Sequence, residues 1–203
     1  KANNTFTVAK ATTPIYVIPQ NITFGEKETL TIYVNATGYV AIHLYNATTN
    51  RPVASYYDID IIDYKYVVPG FLDSGDYVVV ADYEGNANYT ESSARANFTV
   101  YKKDPTITIQ VQNVTYGENV PVVIFVNATG NVTINVDGIN YTRPIKDGKA
   151  NLTLDKLSNV THSVVVIYEG DRNFNGNWTS DTFNVTKVEP EISVDVANKK
   201  VGE

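Results

Sequence analysis

Asn131-Val132-Thr133-Ile134-Asn135-Val136-Asp137-Gly138 decides the fold. Apolar and polar side chains alternate through Val136, the period of a half-buried strand, and Asp-Gly then supplies the left-handed backbone of a tight turn. Working outward, Val122-Val123-Ile124-Phe125-Val126 is a second strand, joined to the first by Asn127-Ala128-Thr129-Gly130. Downstream, Asp147-Gly148 marks another turn and Ala150-Asn151-Leu152-Thr153-Leu154 alternates again. Ser163 to Tyr168 is a longer apolar strand, and Thr182 to Thr186 closes the set. About six or seven short strands with frequent turn signals and no helical periodicity describe an all-β chain folded as a β-sandwich. Val164, Val166 and Tyr168 are predicted to face its core together with Val132, Ile134 and Val136.

The same pattern occurs twice. Thr23-Phe24-Gly25-Glu26 and Val34-Asn35-Ala36-Thr37-Gly38 return, 92 positions on, as Thr115-Tyr116-Gly117-Glu118 and Val126-Asn127-Ala128-Thr129-Gly130. Tyr83-Glu84-Gly85 returns 85 positions on as Tyr168-Glu169-Gly170, so the first copy carries seven extra residues. Arg51-Pro52 matches Arg143-Pro144 at the longer spacing, which places the insertion at about residues 53 to 71. Asn4 to Val8 resembles Asn97 to Val100, and Glu191 to Val196 resembles Thr106 to Val111. The expected organisation is the last strand of a preceding repeat at 1–10, one repeat at 11–102, a second at 103–187, and the first strand of a following repeat at 188–203. The chain is expected to be an internal piece of a longer polypeptide. Short Lys-Lys-Asp-Pro and Lys-Val-Glu-Pro hinges lead us to expect an extended string, and spare end strands to pair head to tail with other copies.

A net charge of −6, with Lys and Arg scattered, removes the electrostatic term on which nucleic-acid binding depends. The absence of Cys excludes disulfide and thiolate chemistry, and no apolar run reaches the length of a membrane span. Asn is the telling residue. Asn-x-Ser/Thr sequons stand at Asn3, Asn21, Asn35, Asn46, Asn88, Asn97, Asn113, Asn127, Asn131, Asn140, Asn151, Asn159, Asn177 and Asn184, where random placement would give about three. Abundant Thr in strands explains part of the excess; N-glycosylation of an extracellular, cell-surface protein explains the rest.

Gly130-Asn131-Val132-Thr133-Ile134 and Gly148-Lys149-Ala150-Asn151-Leu152-Thr153-Leu154 resemble the GxVTF and GxAxLTL strands of bacterial Ig-like repeats. Leu157, His162 and Tyr168-Glu169-Gly170-Asp171-Arg172-Asn173-Phe174 match a third block of that pattern, with Tyr77 for the His and Asn86 for the Asp in the first copy. The Asn- and Ile-rich version is similar to adhesin-like surface proteins of methanogenic archaea. The resemblance implies tandem Ig-like antiparallel β-sandwich domains in a stalk or adhesion segment that is not an enzyme. The partners it implies are neighbouring repeats and the surface glycans or proteins of another cell.

Few residues suggest chemistry. Asp171, Asn173 and Asn175 followed by Gly176 fit the opening of a calcium loop, but the closing bidentate Glu is missing and an Asx turn accounts for the same residues. Tyr56, Tyr57, Tyr64 and Tyr66 lie in a Tyr- and Asp-rich stretch that reads either as a ligand face for a glycan or protein, or as a lengthened edge strand guarded by its Asp residues. Trp178 is expected to pack. His162 occupies a place where the other copy has Tyr77, which argues against imidazole chemistry. No nucleophile motif or metal cluster is present, and no cofactor is implied.

Overall fold

The computed structural model describes residues 4–60, 64–196 and 202, so Asn3 and the Ile61–Asp63 part of the Tyr- and Asp-rich stretch lie outside the described residues. The chain divides into two compact units, 1–104 with 170–175, and 105–169 with 176–203. β-branched and aromatic side chains, which suit a pleated surface, make up more than half of the strand residues. The first unit holds β1 (Ile15–Ile18), β2 (Ile22–Thr23), β3 (Thr29–Val34), β4 (Tyr39–Asn46), β5 (Pro52–Asp60), β6 (Lys65–Val67), β7 (Gly75–Tyr83) and β8 (Ser92–Tyr101). The second holds β9 (Ile107–Gln110), β10 (Val114–Thr115), β11 (Val120–Val126), β12 (Asn131–Val136), β13 (Ile139–Pro144), β14 (Lys149–Leu154), β15 (Thr161–Tyr168) and β16 (Asn177–Thr186).

Both units use one plan. A three-stranded sheet, β1-β3-β6 or β9-β11-β14, faces a five-stranded sheet, β2-β8-β7-β4-β5 or β10-β16-β15-β12-β13. Pairing is antiparallel except where β2 joins β8, and β10 joins β16, in parallel. The two units are therefore tandem Ig-like β-sandwiches. In the first, Leu30, Ile32 and Val34 from one sheet meet Val40, Ile42, Val79, Ala81, Tyr83 and Phe98 from the other in a single core. In the second, Val132, Ile134, Val136, Val164, Val166 and Tyr168 are all buried, as the alternation predicted.

β11 and β12 are consecutive in sequence and belong to opposite sheets, so the Asn127–Gly130 link crosses the sandwich edge. Two features depart from the sequence reading. The extra residues of the first unit sit mainly in the β4–β5 hairpin, not at 53 to 71: Tyr39 pairs with Asp60 where Asn131 pairs with Pro144, so the first hairpin spans 22 residues and the second 14. Pro52 opens β5, opposite Tyr45, whereas Pro144 ends β13, so the two Arg-Pro pairs are not equivalent. Finally, residues 4–10 and 188–196, within the spans expected as strands of neighbouring repeats, carry no strand.

Candidate functional site

The repeated Tyr-Glu-Gly block builds a turn with its own chemistry. Asp171 Oδ1 accepts the N–H groups of Asn173 at 2.7 Å and Phe174 at 2.8 Å. Asn86 Oδ1 does the same for Asn88 and Tyr89 at 2.8 and 2.9 Å. One acceptor oxygen is all this Asx turn needs, which is why Asp in one copy and Asn in the other serve equally. Asn175 points elsewhere: its N–H reaches the Lys103 carbonyl and its Nδ2 donates to Asp104 Oδ1 at 2.7 Å. The three residues read as the opening of a calcium loop thus form a turn and its flank. Among the described residues no group of three or more His, Cys, Asp or Glu stands at metal-ligand spacing.

The four tyrosines of the Tyr- and Asp-rich stretch do not share a face. In β5 the register slips between Val40 and Ile42, and Asp58 takes φ +54, so a bulge places Tyr57 and Asp58 outward in succession. Tyr56 and Tyr66 consequently pack on the margin of the core, their rings 5.4 Å apart. Tyr57 stands on the outer side of the five-stranded sheet, edge-on to His43. Tyr64 pairs instead with Tyr33, 5.6 Å away, beside β3 of the three-stranded sheet. Trp178, expected to pack, is 65 % exposed.

Tyr77 and His162 do one job with different chemistry. Tyr77 donates its hydroxyl to the Asp73 carbonyl at 2.8 Å and stacks on Phe98, the tyrosine corner of such sandwiches. His162 Nε2 meets the Ser158 carbonyl at 2.8 Å and the ring stacks on Phe183. Its Nδ1 faces Asp137 Oδ2 at 2.5 Å, so both ring nitrogens have acceptors and the imidazolium is the form that satisfies both. Burial pushes the His162 pKa down, but the bonds to Asp137 and Ser158 outweigh it and the pKa rises. The His162 bond in turn holds the Asp137 carboxyl below the usual range. A buried carboxyl, Glu28, stands 2 % exposed where the second unit has Val120. Its Oε1 accepts the Gln20 N–H at 2.9 Å, its Oε2 has no partner, and burial raises its pKa.

Sequon asparagines in the described residues are exposed, apart from the half-buried Asn46. Several also have structural duties. Asn21 and Asn113 occupy equivalent places, each Oδ1 accepting a last-strand N–H at 2.8 Å, from Thr99 and Asn184. Asn46 Oδ1 caps a turn through Thr48 and Thr49, Asn140 Oδ1 accepts from Asn135, and Asn177 Nδ2 donates to the Pro105 carbonyl. Asn127 Oδ1 accepts the Thr106 N–H and Asn184 Oδ1 the Thr161 hydroxyl, while Asn35, Asn88, Asn97, Asn131, Asn151 and Asn159 stand at exposed positions.

No protein-family model and no curated protein matches the chain. Among solved structures, titin domains Z1Z2 in complex with telethonin align at 14% identity over 87% of this chain and 95% of that one, with a TM-score of 0.39. Fibronectin(III)-like modules of Clostridium thermocellum CbhA give 14% identity, 89% and 100% coverage and a TM-score of 0.37. A 1.5-MDa bacterial ice-binding adhesin gives 14% identity, 90% and 67% coverage and a TM-score of 0.36. These scores carry no argument of their own, and the sandwich fold rests on the ladders described above. No helix of the described residues is long and apolar enough to cross a membrane.

Proposed function

We propose that the chain is a non-enzymatic stalk or adhesion segment of a repetitive cell-surface protein. The observation that carries this reading is the shared plan: two units with the same strand order and the same parallel junction between their second and last strands, and two sequence repeats with the same Asx turn. Selection for serial modules preserves that scaffold in each copy. The exposed sequons support placement outside the cell, and glycans or proteins of a neighbouring surface are the partners that suit such a segment. Antibodies raised against the second unit should label intact cells of the source. Labelling only after permeabilisation would overturn the reading.

A ligand-binding module working through Tyr56, Tyr57, Tyr64 and Tyr66 is the runner-up, and it is weakened by the separation of those side chains. Replacing the first unit by a second copy of the 105–187 repeat in the whole protein separates the two. A spacer keeps cell attachment after the swap, and a binder loses it.

A further inference from the structure

Of the sequons, two share a setting the others lack. Asn35 and Asn127 each stand in a bend one residue past the end of β3 or β11 and follow an exposed aromatic residue, Tyr33 or Phe125, by two positions, so the exposed–buried–exposed alternation of the strand runs on to the asparagine. The buried Val34 and Val126 between them confirm the phase. A shallow concavity lies beside each pair. In the first unit it measures about 380 Å³ and is lined by Pro14, Tyr16, Tyr33, Val34, Asn35 and Tyr64. In the second it measures about 310 Å³, and Thr106, Thr108, Phe125, Val126 and Asn127 stand in its wall at the same relative places. Both are at the small end of ligand-site volumes, suited to one ring and not to a chain.

In the second unit Thr106 N–H donates to Asn127 Oδ1 at 2.7 Å, which fixes the amide plane through its oxygen and not through Nδ2. Pro14 stands at the equivalent place in the first unit and has no N–H to give, so this hold belongs to Asn127 alone. Asn21 and Asn177, by contrast, spend an Nδ2 hydrogen on Tyr101 and on the Pro105 carbonyl.

We infer that Asn35 and Asn127 carry N-linked glycans whose first sugar ring lies on Tyr33 and Phe125 in these concavities. The inference rests on the cell-surface reading, because the reaction needs an extracytoplasmic transferase and a lipid-linked sugar phosphate as donor. In that reaction Nδ2 loses one proton and bonds to the anomeric carbon, while the bond from that carbon to the phosphate oxygen breaks and the lipid phosphate leaves with the electron pair. The apolar face of a pyranose then covers aromatic surface otherwise open to water, as amphipathic rings do at interfaces. The first unit offers the better seat, since Tyr16 and Tyr64 flank Tyr33, whereas the Lys149 ammonium already lies 5.3 Å from the Phe125 centroid.

The test begins with peptide mass spectrometry on protein drawn from its own cells. Glycan at both Asn35 and Asn127 is expected. The whole chain, made in a glycosylating secretory host and trimmed to single sugars, is then compared with Tyr33→Thr and Phe125→Thr variants made in the same way and with all three made in a bacterial host. The sugar should raise Tm on the order of 3 °C with the ring present and lose most of that gain without it. The acetyl or ring protons of the first sugar should show upfield shifts that vanish in the variants. Equal stabilisation in the variants, together with first-sugar protons that resonate at the same place with and without the ring, would overturn the seat. Empty Asn35 and Asn127 beside an occupied Asn159 would overturn it while leaving the cell-surface reading intact, and no glycan at any sequon would count against both.

Discussion

At the scale of single residues, one buried ionisable group in each unit makes stability fall as pH rises, Glu28 from the acid side and His162 nearer neutrality. Glu28 has a folded pKa raised by burial, so its contribution to stability is complete below its unfolded value and is lost as pH rises through the folded one. Glu28→Gln keeps an acceptor for the Gln20 N–H and cannot ionise. It should stabilise the first unit at neutral pH by about 1–2 kcal/mol and remove the decline above pH ~4.5, read by urea unfolding across a pH series. His162 also has a raised pKa, so its support for the second unit is complete below about pH 6.5 and fades as pH climbs through the folded value. Asp137, depressed by the same bond, supports the unit above its unfolded value and fails only in strong acid. Between roughly pH 4 and 6.5 both are at full strength. In His162→Tyr, which restores the residue type of Tyr77, the alkaline loss should disappear from the second unit's thermal transition. If the loss persists, the Asp137–His162 pair is not its source.

Elements were legible in the sequence to the extent that their alternation was clean. β12 and β14 could be read because every second side chain is apolar and buried, and β15 because its apolar run is long. β5 was legible as a lengthened edge strand, but the facing of its side chains was not, because its bulge breaks the period at Tyr57–Asp58 and leaves Tyr56 at the core margin and Tyr57 outside. Local identity also misled: Arg51-Pro52 and Arg143-Pro144 look equivalent, but only the cross-strand partners reveal the longer hairpin. The Asx turn was legible in kind, and the equivalence of Tyr77 and His162 in position, yet the Asp137 that sets the histidine's charge is 25 residues away in sequence. The aromatic neighbours of Asn35 and Asn127 were in plain view, and what hid them was strand phase, unknown until β3 and β11 were placed. Within the turns, glycines separate into two kinds. Gly85 has φ +81 and an added Cβ would stand 2.8 Å from the Tyr89 carbonyl oxygen, whereas Gly25, at φ +91, has open space around it. Gly85→Ala should therefore cost the first unit more than about 2 kcal/mol and Gly25→Ala about 1 kcal/mol, read by urea unfolding. Similar costs at the two sites would mean that the Tyr-Glu-Gly turn is less tightly packed than the ladder positions require.

For the whole molecule, the parallel junction between the second and last strands of each unit has a consequence under load. β2 and β8 run side by side in the same direction, as do β10 and β16, and the ladder continues through Phe24 N–H to Tyr101 and Tyr116 N–H to Thr186. Tension that reaches a unit's second strand from the N-terminal side and leaves through its last drags these parallel strands in opposite senses along their own axes. The bonds between them are then strained together in shear, not opened one after another as in a hairpin pulled apart at its ends. A surface protein tugged by flow or by an attached cell meets that geometry at every module. Tyr116→Pro removes the N–H that bonds the Thr186 carbonyl at 2.8 Å while sparing the core, since Tyr116 is exposed. In single-molecule pulling of the two-unit chain the second unit of this variant should yield at lower force than in the parent, with the first unit as internal reference. An unchanged force would place the resistance elsewhere than in the parallel junction.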